Sequence, residues 1–324
     1  MFAKVINNIK SEKMEIVEIK GIIDIPNEEY HNSAEFAEYW SSSNLKIYVS
    51  GTPKEAEFQK ENKEKKEPSA AMVWGTTIHD FLESKHKHGK PFNYGDAPIN
   101  DTKGKAYGNT TKKYLDAKEL HGNLISVEEK IHLQNIWQML TTCEDARFFQ
   151  EILTTGVPEC SYFIETESGL KYKTRHDVTL PKSIIDYKTL NKKDRNYSGM
   201  IRRIINLHYD FSAAMYQYFE HKRTGLWKPF ILVWLMPEPP YDYLLMDISR
   251  FCYQVISDVL VKNSGAILFE SVLKQHENCM SSNSFPGINA QIEKNKEGFR
   301  IAEPIPSNWY TGEYQAFEIS ENDF

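Results

Sequence analysis

Residues 157–190 read VPECSYFIETESGLKYKTRHDVTLPKSIIDYKTL, and the turn residues inside this stretch decide the fold. Glu167-Ser168-Gly169 supplies one turn and the Pro181–Lys182 step a second, so three successive strands form an antiparallel meander. With the second tip at Pro181–Lys182, Asp177 and Asp186 lie opposite each other on neighbouring strands, because their numbers are symmetric about it. Directly opposed like charges destabilise a strand pair unless something positive sits between them. Lys188 follows Asp186 by two and projects from the same face. Acids with a basic neighbour suit a hard divalent cation and a water.

Ser183-Ile184-Ile185 runs straight into Asp186, so this carboxylate ends an apolar strand, where an unpaired charge is costly. Either a metal ion or a structural ion pair with Lys188 compensates it, and spacing alone leaves both open. Glu159, on the first strand, falls across from residues 175–177. Glu165 competes for that place, but its nearness to the turn makes it a solvated surface acid. The segment PSAAMVWGTTIHDFLESKHKHGK predicts a helix from about Pro68 to Lys87, with Pro68 in its first turn and Gly89 as its stop. His79 lies on that helix with Gly75 and Thr76 one turn before and Leu82 and Glu83 one turn after. A lone helical histidine is ordinarily a satisfied surface or core residue. A mid-helix glycine costs ~1 kcal/mol, however, and Gly75 asks for a close neighbour or a ligand. His86 and His88 are expected in solvent at the lysine-rich helix end.

The chain has 324 residues, 40% hydrophobic and 26% charged, ordinary values for a globular protein of one large or two smaller domains. No apolar run approaches the ~20 residues needed to cross a bilayer, and MFAKVINNIKSEKMEIVEIK has no secretory h-region. Cys143, Cys160, Cys252 and Cys279 are scattered without a CxxC, which argues for reduced thiols and against a cysteine-held metal or iron–sulfur cluster. The net charge is −6, so nucleic acid would need a local basic surface.

Upstream, EIVEIKGIIDI reads as a strand, Pro26-Asn27 opens a helix, and QKENKEKKE (59–67) is a solvated charge run. Residues 90–118 lack periodicity and read as a long irregular segment. Ser126 and Glu129 form a capping box for the next helix, and CEDARFFQEILTT is a shorter one. After the meander, MIRRIINLHYDFSAAMYQYFEHKRTG predicts one helix stopped by Gly225, KPFILVWLMPEPP a fully buried strand without polar alternation, and YDYLLMDIS another strand. A last helix is expected near Ser249 to Phe269, and the tail from Ser281 is irregular. This order indicates an α/β domain with a mixed β-sheet flanked by α-helices. Between positions 188 and 203, Lys188, Lys192, Lys193, Arg195, Arg202 and Arg203 stand against Asp194 alone, either a solvated loop or a phosphate-contacting one. Lys103, Lys105, Lys112 and Lys113 could form a second wall of a groove.

Several of these segments together resemble the PD-(D/E)XK nucleases, and in particular the RecE-type exonucleases of phage and prophage recombination. They are IPNEEYH with SSSNLK, GTTIHDFLE, PECSYFIETESGLKYKTRHDV followed by IIDYKT, and YDFSAAMY with FILVWLMPEPP. The resemblance covers most of the chain. It implies a restriction-endonuclease-like core, with residues 1–67 a segment packing on a nuclease domain of residues 68–324. It makes His79, Asp177, Asp186 and the Tyr187 backbone carbonyl metal ligands. Glu159 would hold a metal-associated water or a second cation, and Lys188 would orient water and stabilise phosphate charge. Lys192, Lys193, Arg195, Arg202, Arg203 and Tyr216 would meet DNA. One departure is Ser212, where the family carries a glutamine four residues before its tyrosine. Gln217 is out of phase and does not restore it.

The expectation is therefore an exodeoxyribonuclease dependent on Mg²⁺ or Mn²⁺ that degrades one strand of duplex DNA, 5′ to 3′. The resemblance sets it beside a single-strand annealing recombinase, as a homo-oligomer in the cytoplasm of a bacterial host, with no membrane involvement. The rival readings are a single-strand or structure-selective nuclease of the same fold, and a DNA-binding module without catalysis.

Overall fold

In the computed structural model of the chain, the described residues are 16–22, 25–62, 68–100, 102 and 104–291. The first part runs β1 (Ile16–Ile22), α1 (Asn27–Asn32), β2 (Trp40–Ser41), α2 (Ser42–Leu45), α3 (Ile47–Ser50) and α4 (Pro53–Glu61). Next come α5 (Ala70–Glu83), the short strands β3 (Gly95–Asp96), β4 (Ile99–Asn100) and β5 (Lys105–Ala106), then α6 (Lys112–His121) and β6 (Leu124–Ile125). The helices α7 (Val127–Thr142) and α8 (Ala146–Thr155) lead into the meander β7 (Val157–Thr166), β8 (Lys171–Thr179) and β9 (Ile184–Thr189). It is followed by α9 (Tyr197–Asn206), α10 (Tyr209–Thr224), β10 (Phe230–Met236), β11 (Asp242–Asp247), β12 (Tyr253–Ile256), β13 (Val259–Lys262) and α11 (Ser264–Ser282).

The main sheet runs β1-β7-β8-β9-β10-β11, with β2 paired to β8. β7, β8 and β9 are antiparallel neighbours, whereas β10 lies parallel to β9. A parallel neighbour demands a long crossover, and α9 and α10 supply it. Val178 pairs with Ile185 and Thr179 with Ile184, which is the predicted register about Pro181–Lys182. At its other end β8 pairs instead with β2, Tyr172 against Trp40. β8 and β9 therefore part company just beyond Asp177 and Asp186. This splay opens the sheet where the acids sit.

Both faces of the sheet are covered. Ile184, Leu232 and Trp234 join one apolar cluster with Phe211, Met215 and Phe269 of α10 and α11. Ile185, Val233 and Leu235 join another with Ile78, Leu82, Ile136 and Phe149 of α5, α7 and α8. Consecutive residues of β9 and β10 thus enter opposite layers, as period-two alternation requires. A third cluster, Ile25, Tyr30, Phe36 and Phe163, covers part of β7. There the Lys173 ammonium is buried and donates to the carbonyls of Tyr30 (2.6 Å) and Phe36 (3.2 Å).

Several expectations need correction. The α5 helix spans Ala70–Glu83 with Ser69 as N-cap, so Pro68 precedes the cap. It stops before Lys87 because the Lys87 amide turns to the Leu153 carbonyl at 2.9 Å. His86 is buried, not solvated, and burial presses its imidazole down to about 4, whereas His88 is exposed. The irregular 90–118 segment contains the start of α6, a helix with no buried residue and hence no apolar stripe to read. The long helix after the basic stretch is two helices. His208 adopts a left-handed φ of 49° between them, and Lys46 Nζ donates to the freed Leu207 carbonyl at 3.0 Å. Residues 253–262 form a hairpin, not a helix, and α11 starts at Ser264. Residues 63–67 of the charge run and the tail from 292 lie outside the described residues. All four cysteines are free thiols. Among the described residues no helix is long and apolar enough to cross a membrane.

Candidate active site

A cleft of about 980 Å³ opens between α5, the splayed strands and the start of α10. On α5 the core takes Ile78, Phe81 and Leu82, which leaves Gly75, His79 and Glu83 along the cleft at helical spacing. A Cβ built on Gly75 would meet Thr189 Oγ1 at an ordinary 3.6 Å. Among the described residues no close backbone approach explains this glycine, and it lines the cleft.

At Glu159 and Asp177 the two antiparallel strands change their facing. Cys160 belongs to the α10–α11 cluster, whereas Val178, one pair further along the register, belongs to the α5–α7 cluster. Glu159 takes up the reversal with a left-handed φ of 48°. For a non-glycine residue this is an unfavourable conformation, typically worth on the order of 1 kcal/mol or more, of the kind that clusters at functional sites.

His79, Glu159 and Asp177 each offer a ligand atom within 4.8 Å of the others. His79 Nδ1 lies 3.4 Å from Asp177 Oδ2. The same Asp177 oxygen accepts the Tyr187 amide at 2.7 Å, so a side chain replaces the missing ladder carbonyl where β8 leaves β9. Glu159 Oε2 accepts from Arg175 Nε at 2.5 Å, and Arg175 Nη2 donates to the Ile25 carbonyl at 2.9 Å. Burial first, and then the Asp177 charge, raise the Glu159 carboxyl to about 8, with Arg175 opposing.

Asp186 stands beside these three residues. It forms an ion pair with Lys188 and falls outside the three-ligand cluster. Burial raises its carboxyl while Lys188 opposes. Burial works against the Lys188 ammonium, but the charges of Asp186 and then Asp177 outweigh it and hold the proton on Nζ. Lys188 Nζ also lies 5.3 Å from the centre of the Tyr209 ring. Both alternatives left open by spacing are thus present side by side: an ion pair at Asp186–Lys188 and a cation-competent cluster at His79–Glu159–Asp177. One imidazole and two carboxylates fit a hard or borderline divalent cation, with Mg²⁺ and Mn²⁺ ahead of a thiolate-seeking metal.

Tyr187 and Tyr216 line the cleft. Of the basic residues singled out after β9, Arg203 lines it, while Lys192, Lys193, Arg195 and Arg202 do not. Arg203 pairs with Asp194 at 3.0 Å, and Glu238 takes both Arg195 (3.4 Å) and Lys192 (3.6 Å). Of the lysines expected on the opposite wall, Lys105, Lys112 and Lys113 do not line it and Lys103 lies outside the described residues; Lys90 to Tyr94 line it instead. Gln217 is buried and structural, donating to the Lys228 and Tyr253 carbonyls and accepting the Tyr253 amide. Glu165 stays at the surface, where it accepts from the Tyr39 hydroxyl at 2.6 Å.

Sequence reasoning missed Arg175, Lys90 and Glu238. Arg175 carried one signal, its register near Glu159 across the first hairpin. The other two owe their places to chain segments that fold back from a distance.

A crystal structure described as "Putative exonuclease", from Eubacterium rectale, is similar at a TM-score of 0.49 and 17% identity, covering 90% of this chain and 100% of that one. A likeness of that degree bears no weight for activity. None of the curated proteins matches the chain. The model of a family described as a PDDEXK-like domain of unknown function (DUF3799) matches residues 41–296, which include the splayed strands and every side chain of the cluster, and the chain belongs to that family.

Proposed function

We propose that this protein is a metal-dependent exodeoxyribonuclease of the RecE type that hydrolyses one strand of duplex DNA, 5′ to 3′. The observation that carries the reading is the meeting of His79, Glu159 and Asp177 in one cleft beside the Asp186–Lys188 pair. These residues come from α5 and three strands, and packing alone gives no reason to gather two carboxylates there. The motif resemblance supplies polarity, the recombination role, a single-strand annealing partner, a homo-oligomer and a bacterial cytoplasm.

A divalent cation, Mg²⁺ or Mn²⁺, would relieve charge on the phosphate and lower the pKa of a water. His79, Glu159 and Asp177 would hold it, with the Tyr187 carbonyl and Asp186 at the margin. Arg175 keeps Glu159 aimed by gripping one carboxylate oxygen and leaving the other free. The Tyr187 amide fixes Asp177 in the same way. Lys188, an ammonium held by Asp186, donates to the attacked phosphate or to the attacking water and stabilises charge that develops there. Within residues 1–67 the described part acts as a segment packed on a nuclease domain that begins at residue 68, a division supported by Arg175 and Lys173 anchoring on carbonyls of Ile25, Tyr30 and Phe36.

The test is digestion of end-labelled duplex and single-stranded DNA with Mg²⁺ or Mn²⁺. Wild type is expected to release nucleotides from the duplex, and Asp186→Ala and Lys188→Ala to release none. A wild type that digests nothing with either ion rules the reading out.

A further inference from the structure

The cations around the cleft differ in how firmly acids and carbonyls hold them. Arg175 is bound to Glu159 and the Ile25 carbonyl, Lys188 to Asp186, and Arg203 to Asp194. Lys90 stands on the α5 side, across from β9. Its Nζ forms an ion pair with Glu83 Oε1 at 3.3 Å. The Lys90 side chain keeps 33% of its surface exposed, against 12% for Glu83. Glu83 steers the ammonium without covering it.

The segment that carries Lys90 is well anchored. Phe92 stacks on Tyr94 with ring centres 4.4 Å apart and planes at 11°, and Tyr94 donates to Asp80 of α5 at 2.6 Å. Asn93 and Asn123 line the same wall and add neutral hydrogen-bonding groups. Glu83 follows His79 by one turn of α5 and pairs with Lys90, so Lys90 sits just beyond the cluster. The cluster is acidic, and a phosphodiester chain entering it is repelled unless cations flank it on both sides. On the β9 side Lys188 and Arg203 do this. On the α5 side, among the described residues, Lys90 is the lysine or arginine that lines the cleft.

We propose that Lys90 binds a backbone phosphate of the substrate on the α5 side of the cluster, so that the ligand is a polynucleotide strand spanning both walls. This rests on the nuclease reading above. It is tested by anisotropy of a labelled single-stranded oligodeoxynucleotide in EDTA, over a salt series, with wild type, Lys90→Ala, Lys90→Arg and Glu83→Gln. Lys90→Ala should weaken binding roughly three- to tenfold and reduce the log–log salt slope by about 0.7, one phosphate contact on a single strand. Lys90→Arg should keep the slope. Glu83→Gln should tighten binding, because it frees the ammonium; a merely structural pair would give no gain. An unchanged slope for Lys90→Ala, or unchanged or weaker binding by Glu83→Gln, overturns the proposal, as does a wild type that binds no oligonucleotide. Should Lys90→Ala fail to fold, Lys90→Arg and Glu83→Gln still decide. A wild type that binds in EDTA but hydrolyses nothing with metal refutes the nuclease reading alone, since the slopes decide Lys90 without hydrolysis.

Discussion

Replacing Asp177 with asparagine should make the metal-free protein more stable and the metal-loaded protein less so. Glu159 and Asp177 offer oxygens within 4.8 Å of each other. At an effective dielectric of about 20, two full charges at that separation repel by roughly 3 kcal/mol. The repulsion exists only while Glu159 is ionised. Its folded value of about 8 stands above the ordinary 4.5, so the site costs stability as pH rises through that interval, and the cost is complete only above about 8. Asparagine keeps the volume and the acceptor for the Tyr187 amide, now met at 2.7 Å. Allowing for Arg175, about 1–2 kcal/mol of gain is expected at pH 9, a few degrees in melting temperature. The gain should shrink at pH 6, where Glu159 is protonated. With Mn²⁺ at a hundredfold its Kd, wild type gains about 2.7 kcal/mol, while the variant has lost a ligand and gains little. Thermal melts in EDTA and in Mn²⁺ at the two pH values read all of this. If Asp177→Asn melts lower than wild type in EDTA at pH 9 and shows the same Mn²⁺ shift, the carboxylates do not form a cation site.

Three further outcomes follow from other parts of the fold. Burial presses His86 and His176 down to about 4 and His276 to about 3; the unfolded chain therefore takes up protons first, and stability should fall from pH 6.5 toward 4, by up to about 3 kcal/mol per histidine. A urea midpoint unchanged between pH 7 and 4.5 would contradict it. Glu238 holds Arg195 and Lys192 at the cleft rim, so Glu238→Gln should raise DNA affinity several-fold at low salt and not at high salt; equal affinities in anisotropy would show that neither cation meets DNA. Lys228 pairs with buried Glu220 at 2.7 Å and donates to the Leu180 carbonyl at the β8–β9 turn, so Lys228→Met should cost about 3–5 kcal/mol in chemical denaturation, and a loss below about 1 kcal/mol would refute the pairing.

The parts of the fold legible in sequence are those where local chemistry and long-range pairing agree. The Ser126–Glu129 capping box is present as expected. The β8–β9 register followed from one tip because strand partners count away from a turn at equal rates. Illegible elements had weak local signals. The β12–β13 hairpin turns at Ser257 and Asp258, both at positive φ, a conformation that Asn-Gly would have advertised and Ser-Asp does not. The left-handed His208 splits a helix whose periodicity runs on almost unbroken. At the site, His79, Glu159 and Asp177 converge, but the preference of Asp186 for Lys188 over the cluster depends on where β8 and β9 diverge. That divergence is set by β2 inserting beside Tyr172, which no spacing within residues 157–190 encodes.

The central claim is that His79, Glu159 and Asp177 share one divalent cation. Crystals soaked in Mn²⁺ test it most directly, because anomalous scattering locates the ion without assumption. The account predicts a peak in the cleft within coordination distance of His79 Nδ1 and of one oxygen each from Glu159 and Asp177. Crystals that take up Mn²⁺ elsewhere, or a peak that leaves the imidazole and both carboxylates unliganded, would contradict it.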